Sequence, residues 1–173
     1  EIQAQENVME ILETTVSGGR LYISYEACVR NTKKAIITLT VKNLEEIKLD
    51  GSGEIYSKTT IQSENLTVEL KGSGDIELEV QSTELNSDLI GAGTIAYEGV
   101  ADKHNIGVQG SGEIEAYDLM TKETYITLDG SGEVFVTATN VLDITINGSG
   151  DIYYKGNPVV TTTINGSGDV HHR

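Results

Sequence analysis

Seven positions carry a carboxylate, or a substitute for one, at a fixed distance from a pair of glycines. Glu54, Asp75, Thr94, Glu113, Glu133, Asp151 and Asp169 each lie three residues after the first glycine of a Gly-x-Gly triplet. Aligned side by side, such carboxylates would stand ~5 Å apart. Two unit charges at ~5 Å repel by under ~1 kcal/mol in water, and by more where solvent is excluded. A divalent cation relieves such repulsion, and oxygen ligands suit Ca2+. Thr94 interrupts the column, however, and Glu and Asp follow no pattern. The expectation is therefore a solvated column whose carboxylates accept hydrogen bonds from nearby amides, with no metal bound.

Two residues further on, the same counting finds Tyr56, Glu77, Ala96, Glu115, Phe135, Tyr153 and His171. The last three are rings, and Phe135, Tyr153 and His171 form the candidate binding ledge. Stacked rings suit sugar faces or a protein interface, although β-propensity and packing along a ladder produce the same pattern. The remaining chemistry is sparse. His104, His171 and His172 have no partner at zinc spacing, so they read as structural or solvated histidines. No Gly-x-x-x-x-Gly-Lys-Ser/Thr loop is present to cradle phosphate. The Gly-Gly-x-Gly-x-Asp nonapeptide of calcium-binding β-rolls is also missing, because Thr139-Asn140-Val141 and Asn157-Pro158-Val159 stand where its glycines would fall. No catalytic residue, cofactor site or metal ligand is assigned, and the chain is not expected to be an enzyme.

The elements that must position these residues follow from the glycines. Gly-x-Gly triplets start at Gly51, Gly72, Gly91, Gly110, Gly130, Gly148 and Gly166, in steps of 21, 19, 19, 20, 18 and 18 residues. Six of the seven are Gly-Ser-Gly, so the unit is a true repeat. Leu49, Leu70, Leu89, Val108, Leu128, Ile146 and Ile164 lie two residues before the first glycine. Ile55, Ile76, Ile95, Ile114, Val134, Ile152 and Val170 lie four after it. The column four residues before is mostly apolar, and between the two preceding columns come Lys48, Glu69, Asp88, Gly107, Thr127, Thr145 and Thr163, all polar or small. That is the period of two of a strand with one buried face.

A unit of this length, with a strand on each side of a glycine corner, cannot bury its apolar face alone. Parallel stacking puts each apolar column on top of itself and makes one core. The fold expected is all-β, a single parallel β-helix (solenoid) of 18–21-residue rungs with Gly-Ser-Gly corners in one row. Eight or nine rungs at ~4.8 Å each would span ~40 Å. Glycine suits the corner because it carries no Cβ penalty at positive φ, and the serine hydroxyl is expected to satisfy a turn amide.

Residues 1–46 fit less cleanly and read as an atypical cap with first rungs, ahead of regular repeats over 47–173, within one domain spanning 1–173. Glu6–Leu12 suits a helical turn, Thr14–Ala27 a hairpin turning at Gly18-Gly19, and Ala35–Leu49 a further rung without a corner. The lone Cys28 forms no internal disulfide and suits a buried thiol in a strand.

Composition narrows the partners. A net charge of −15 argues against nucleic acid, and no apolar run reaches the ~18 residues of a membrane span. The chain starts at Glu1 without Met, as a form trimmed of a targeting segment would.

The phrases NVMEILETTVSGGRLYISY, NLEEIKLDGSGEI and INGSGDIYYKGNPVVTTTINGSGDV resemble the head GIN domain family, described as an auto-transporter adhesin head domain of bacterial envelope proteins. The resemblance covers nearly the whole chain. It implies a right-handed β-helix exported to the periplasm or cell surface, often lipid-anchored through a segment outside this chain, and it supplies no catalytic residue to carry over. The function expected is a non-catalytic envelope binding or adhesion module that contacts a glycan or a protein partner through a flat β-helix face. A homo-oligomer is expected, with no nucleic acid and no cofactor. The alternatives are a self-assembling envelope scaffold and a carbohydrate-active lyase or hydrolase built on a β-helix.

Overall fold

The structure is a computed structural model that describes residues 1–26 and 35–173; the reading of Cys28 lies outside the described residues. The chain divides into two compact units, residues 1–42 and 43–173.

The first unit contains β1 (Ile2–Gln3), α1 (Glu6–Met9), β2 (Leu12–Ser17), β3 (Arg20–Tyr25) and β4 (Ile36–Ile37). The helical turn and the hairpin arise where the sequence places them. β2 and β3 pair antiparallel around Gly18 and Gly19, whose φ values of 58° and 79° give the tight turn its left-handed residues. β4 departs from expectation. It pairs antiparallel with β1, so it is not a rung; Ala35–Leu49 carries no glycine corner to fix a parallel register.

The second unit is a parallel β-solenoid, as the columns require. Its strands are β5 (Glu46–Gly51), β6 (Glu54–Tyr56), β7 (Ile61–Gly72), β8 (Asp75–Gly91), β9 (Thr94–Gly110), β10 (Glu113–Gly130), β11 (Glu133–Gly148), β12 (Asp151–Lys155), β13 (Val159–Gly166) and β14 (Val170–His172). Every pairing among them is parallel. The first glycines of the seven corners face one another in a single row from Gly51 to Gly166. The stack therefore has seven corner levels rather than eight or nine, because β5 is the first strand to enter it.

The corners show why glycine is required. Gly110 and Gly130 have φ of 123° and 139°, a region open essentially to glycine alone. A Cβ at either would also collide with the carbonyl of the glycine one rung earlier. The corner amides are satisfied differently from the sequence expectation. The backbone N–H of Ser131 donates to Gly110 O at 2.8 Å and that of Ser149 to Gly130 O at 2.8 Å. Ala92 makes the same bond to Gly72 O at 2.9 Å without any hydroxyl. The preceding rung, not the serine side chain, caps the turn.

Inside the coil, Leu70, Leu89, Val108, Leu128 and Ile146 are fully buried, as are Ile95, Ile114, Val134 and Ile152. Burial fails at the C-terminal end of the column, where Ile164 is 43% exposed. The core also holds a polar seam. Ser87 Oγ lies 2.7 Å from Tyr97 OH and 2.9 Å from His104 Nε2, with the Tyr97 and His104 rings edge to face at 5.4 Å. Burial pushes the His104 pKa down to about 3 and raises that of Tyr97, so both are neutral.

Candidate functional site

The outward column beyond the corner is built as the repeat dictates. Glu115, Phe135, Tyr153 and His171 sit side by side on successive rungs, while the next-door Ile114, Val134, Ile152 and Val170 point inward. Phe135 and Tyr153 stack at 4.9 Å between centroids and 9° between planes, and Tyr153 and His171 at 4.8 Å and 18°. The ledge of Phe135, Tyr153 and His171 is thus one continuous ring ladder. Its geometry differs from the sugar-stacking platform that the sequence brings to mind. The ring faces turn along the coil toward one another, so Tyr153 has both faces covered and only the end ring, His171, keeps a free one. Toward solvent the ladder offers ring edges, the positive side of the aromatic quadrupole.

Three further residues complete this face. β10 carries a bulge: between the Glu115–Ala96 and Asp118–Glu98 pairs it spends one residue more than β9. The bulge brings Tyr117 edge-to-face against Phe135 at 5.3 Å, as bulges re-aim side chains. Thr137 Oγ1 fixes it by donating to the Tyr117 carbonyl at 2.8 Å. The Lys155 ammonium lies 4.0 Å from the Tyr117 ring centroid, and the Arg173 guanidinium 5.1 Å from that of Tyr153. The Tyr117 hydroxyl is buried without a partner among the described residues, and burial raises its pKa. The one sequence signal for Tyr117 was length: the copy from Gly110 to Gly130 has 20 residues where the next two have 18.

The carboxylate column also forms, through Glu54, Asp75, Thr94, Glu113, Glu133 and Asp151 in register. Burial, then repulsion from Glu115 and Glu133, raises the Glu113 pKa. At the far end the Asp169 N–H donates to Asp151 Oδ1 at 2.9 Å, the amide bonding expected of a solvated column. Ligand-type atoms of Asp151, Asp169 and His171 lie within 4.8 Å of one another, all on accessible side chains. Of the other histidines, His104 is in the core and His172 Nε2 contacts Gly156 O at 2.9 Å.

The sequence profile of the family described as "Putative auto-transporter adhesin, head GIN domain" matches residues 1–158. The chain belongs to the head GIN domain family. Three solved structures are similar. A protein from Bacteroides fragilis described as a putative adhesin is 28% identical, with a TM-score of 0.94 over 99% of this chain and 81% of its own. One from Parabacteroides distasonis, described as a putative lipid binding protein, is also 28% identical, with a TM-score of 0.80 over 99% and 82%. A putative adhesin from Parabacteroides merdae, 24% identical with a TM-score of 0.75, shares the fold over 99% of this chain and 82% of its own. No curated protein matches. Membership places this head GIN domain among the adhesin-type binding modules of the bacterial envelope. Among the described residues no helix is long and apolar enough to cross a membrane.

Proposed function

We propose that this head GIN domain is a non-catalytic module that contacts an envelope glycan or a protein partner through the face carrying Phe135, Tyr153 and His171. The observation that carries the reading is the continuous ring ladder on a rigid parallel sheet. A surface already ordered before contact loses little entropy on binding. Ring edges beside Lys155 and Arg173 suit partners rich in carbonyl, hydroxyl or carboxylate oxygens. The proposal includes residues 1–173 acting as one module, export to the periplasm or cell surface, a lipid anchor carried outside these residues, and assembly into a homo-oligomer whose contact uses the same face.

The test is the double variant Phe135→Ala and Tyr153→Ala, read by glycan array and by mass in solution. Both rings are only half-buried, so the coil should stay folded. Weaker binding to at least one array glycan, or a lower oligomeric mass, is the expected result. A variant that keeps its mass and every bound glycan would show that the ladder serves sheet packing alone.

A further inference from the structure

On the flat face before the corner, one outward position lacks a side chain. The column reads Lys48, Glu69, Asp88, Gly107, Thr127, Thr145 and Thr163. A glycine inside a strand weakens it, and is usually explained by a bulge, a bend, the close approach of other backbone, or the approach of a ligand. The first three are absent at Gly107. Its register is unbroken on both sides, facing Asp88 and Thr127. Its φ lies outside the positive region in which the first glycines of the corners sit. No backbone crowds it: an added Cβ would meet Asp88 Oδ1 at 2.9 Å, the movable end of a side chain, and otherwise nothing nearer than 4.0 Å. Gly99 and Gly156, by contrast, combine positive φ with a carbonyl of the preceding rung in the way.

Gly107 lies in an open groove of about 540 Å³, within the size range of small-ligand sites. Asp88 and Asp143 line it, and neither carboxylate has a hydrogen-bond or ion-pair partner among the described residues. Asn105 donates through its amide nitrogen to Glu84 Oε1 at 2.8 Å and Asn86 Oδ1 at 2.7 Å. That leaves the Asn105 oxygen as an acceptor and the Asn86 amide nitrogen as a donor. The Tyr125 ring forms a wall, its hydroxyl held by Glu123 at 3.1 Å.

We infer that the Gly107 groove is a binding site for a neutral sugar residue of a glycan. Adjacent hydroxyls donate to the free carboxylates in charge-assisted bonds and exchange hydrogen bonds with the asparagine pair, while a C–H face of the ring packs on Tyr125. Acidic sugars are repelled by Asp88 and Asp143. A simple ammonium ligand would satisfy the carboxylates but leave the Asn86 donor without a partner. The inference does not depend on the ring ladder.

Gly107→Thr tests it, because threonine already occupies this column at Thr127, Thr145 and Thr163 and favours strands. Wild type and variant are screened on an array of neutral gluco-, manno-, galacto- and N-acetylhexosamine oligosaccharides, with polygalacturonate and chitosan as acidic and cationic controls. The strongest neutral binder is then titrated calorimetrically. Gly107→Thr should bind it at least tenfold more weakly while melting at the same or a higher temperature. Asp88→Ala, an exposed change, should weaken it as well, and the Phe135/Tyr153 double alanine variant should bind it as wild type does. The site is refuted by any of three results: wild type binds no neutral oligosaccharide, Gly107→Thr binds it unchanged, or binding is confined to chitosan and abolished by salt. Loss in the double alanine variant with retention in Gly107→Thr would assign the binding to the ring ladder instead.

Discussion

Val16 and Leu21 face each other across the β2–β3 hairpin and are 73% and 41% exposed; Leu89 and Val108 face each other across β8 and β9 and are fully buried. The residue types are alike. What differs is repetition. In the hairpin, Val16, Leu21, Ile23 and Tyr25 lie on one face, and each is at least 40% exposed. In the solenoid, most apolar positions recur one rung later in the same place, so the strand's own copies close the core around the few polar exceptions at Ser87, His104 and Thr124. Charge divides in the same way. Residues 1–42 hold five acidic and five basic side chains, whereas 43–173 hold 22 and seven, so the whole net charge of −15 belongs to the repeats. Carboxylates at rung spacing repel, and the buried columns hold the stack together against them.

The largest effect should come from the corners. Gly130→Val forces a β-branched side chain into a φ of 139° and drives its Cβ into the Gly110 carbonyl. Backbone strain of about 1–3 kcal/mol and overpacking of about 1–3 kcal/mol should together lower the melting temperature by roughly 10 °C or more. An unchanged melting curve would show that the row of glycines sets no constraint.

Core truncation sharpens the contrast directly. Leu89→Ala should cost about 2–5 kcal/mol, while Val16→Ala should stay within about 0.5 kcal/mol, both read by urea denaturation. Equal losses would mean that the hairpin face is covered in solution.

A smaller effect concerns pH. The His104 pKa is about 3 in the fold against 6.5 for the free side chain. Above pH 6.5 both states are neutral and nothing changes. As the pH falls below 6.5 the unfolded chain takes up a proton that the buried ring refuses, so stability declines. At pH 5 the loss is about 2 kcal/mol. His104→Leu, which puts leucine beside Leu85 in the column of Leu66, Leu85, Thr124 and Leu142, should flatten the stability profile between pH 6.5 and 5. A variant with the same slope as wild type would place the proton uptake elsewhere.

The solenoid could be read from sequence because one glycine motif sets the phase of every column around it. Counting from that mark found the buried columns, the ring ladder and the carboxylates. Counting failed where phase is lost. Ile36–Ile37 has no corner near it, so nothing in its sequence says that it pairs antiparallel with Ile2–Gln3. Tyr117 lies in a bulge, one residue out of step with the columns on either side. Gly107 was in plain view as one small residue in a polar column. It becomes meaningful only once unbroken register and open space remove the ordinary reasons for a glycine there. The direction of the ring faces follows from side-chain angles, on which spacing is silent.

The corner bonds also fix how such a chain can lengthen. Each first glycine offers its carbonyl to the amide of the next rung's second corner residue, from Gly51 and Ser73 to Gly148 and Ser167, so every rung is the mould for the one after it. Rungs of 18 to 21 residues all meet at this one seam, and the surplus in β10 emerges elsewhere, as bulges between Glu115 and Glu123. Gene duplication can therefore add or remove whole rungs without rewriting the seam. Short insertions away from it change what the surface displays, as the extra residue beside Tyr117 does.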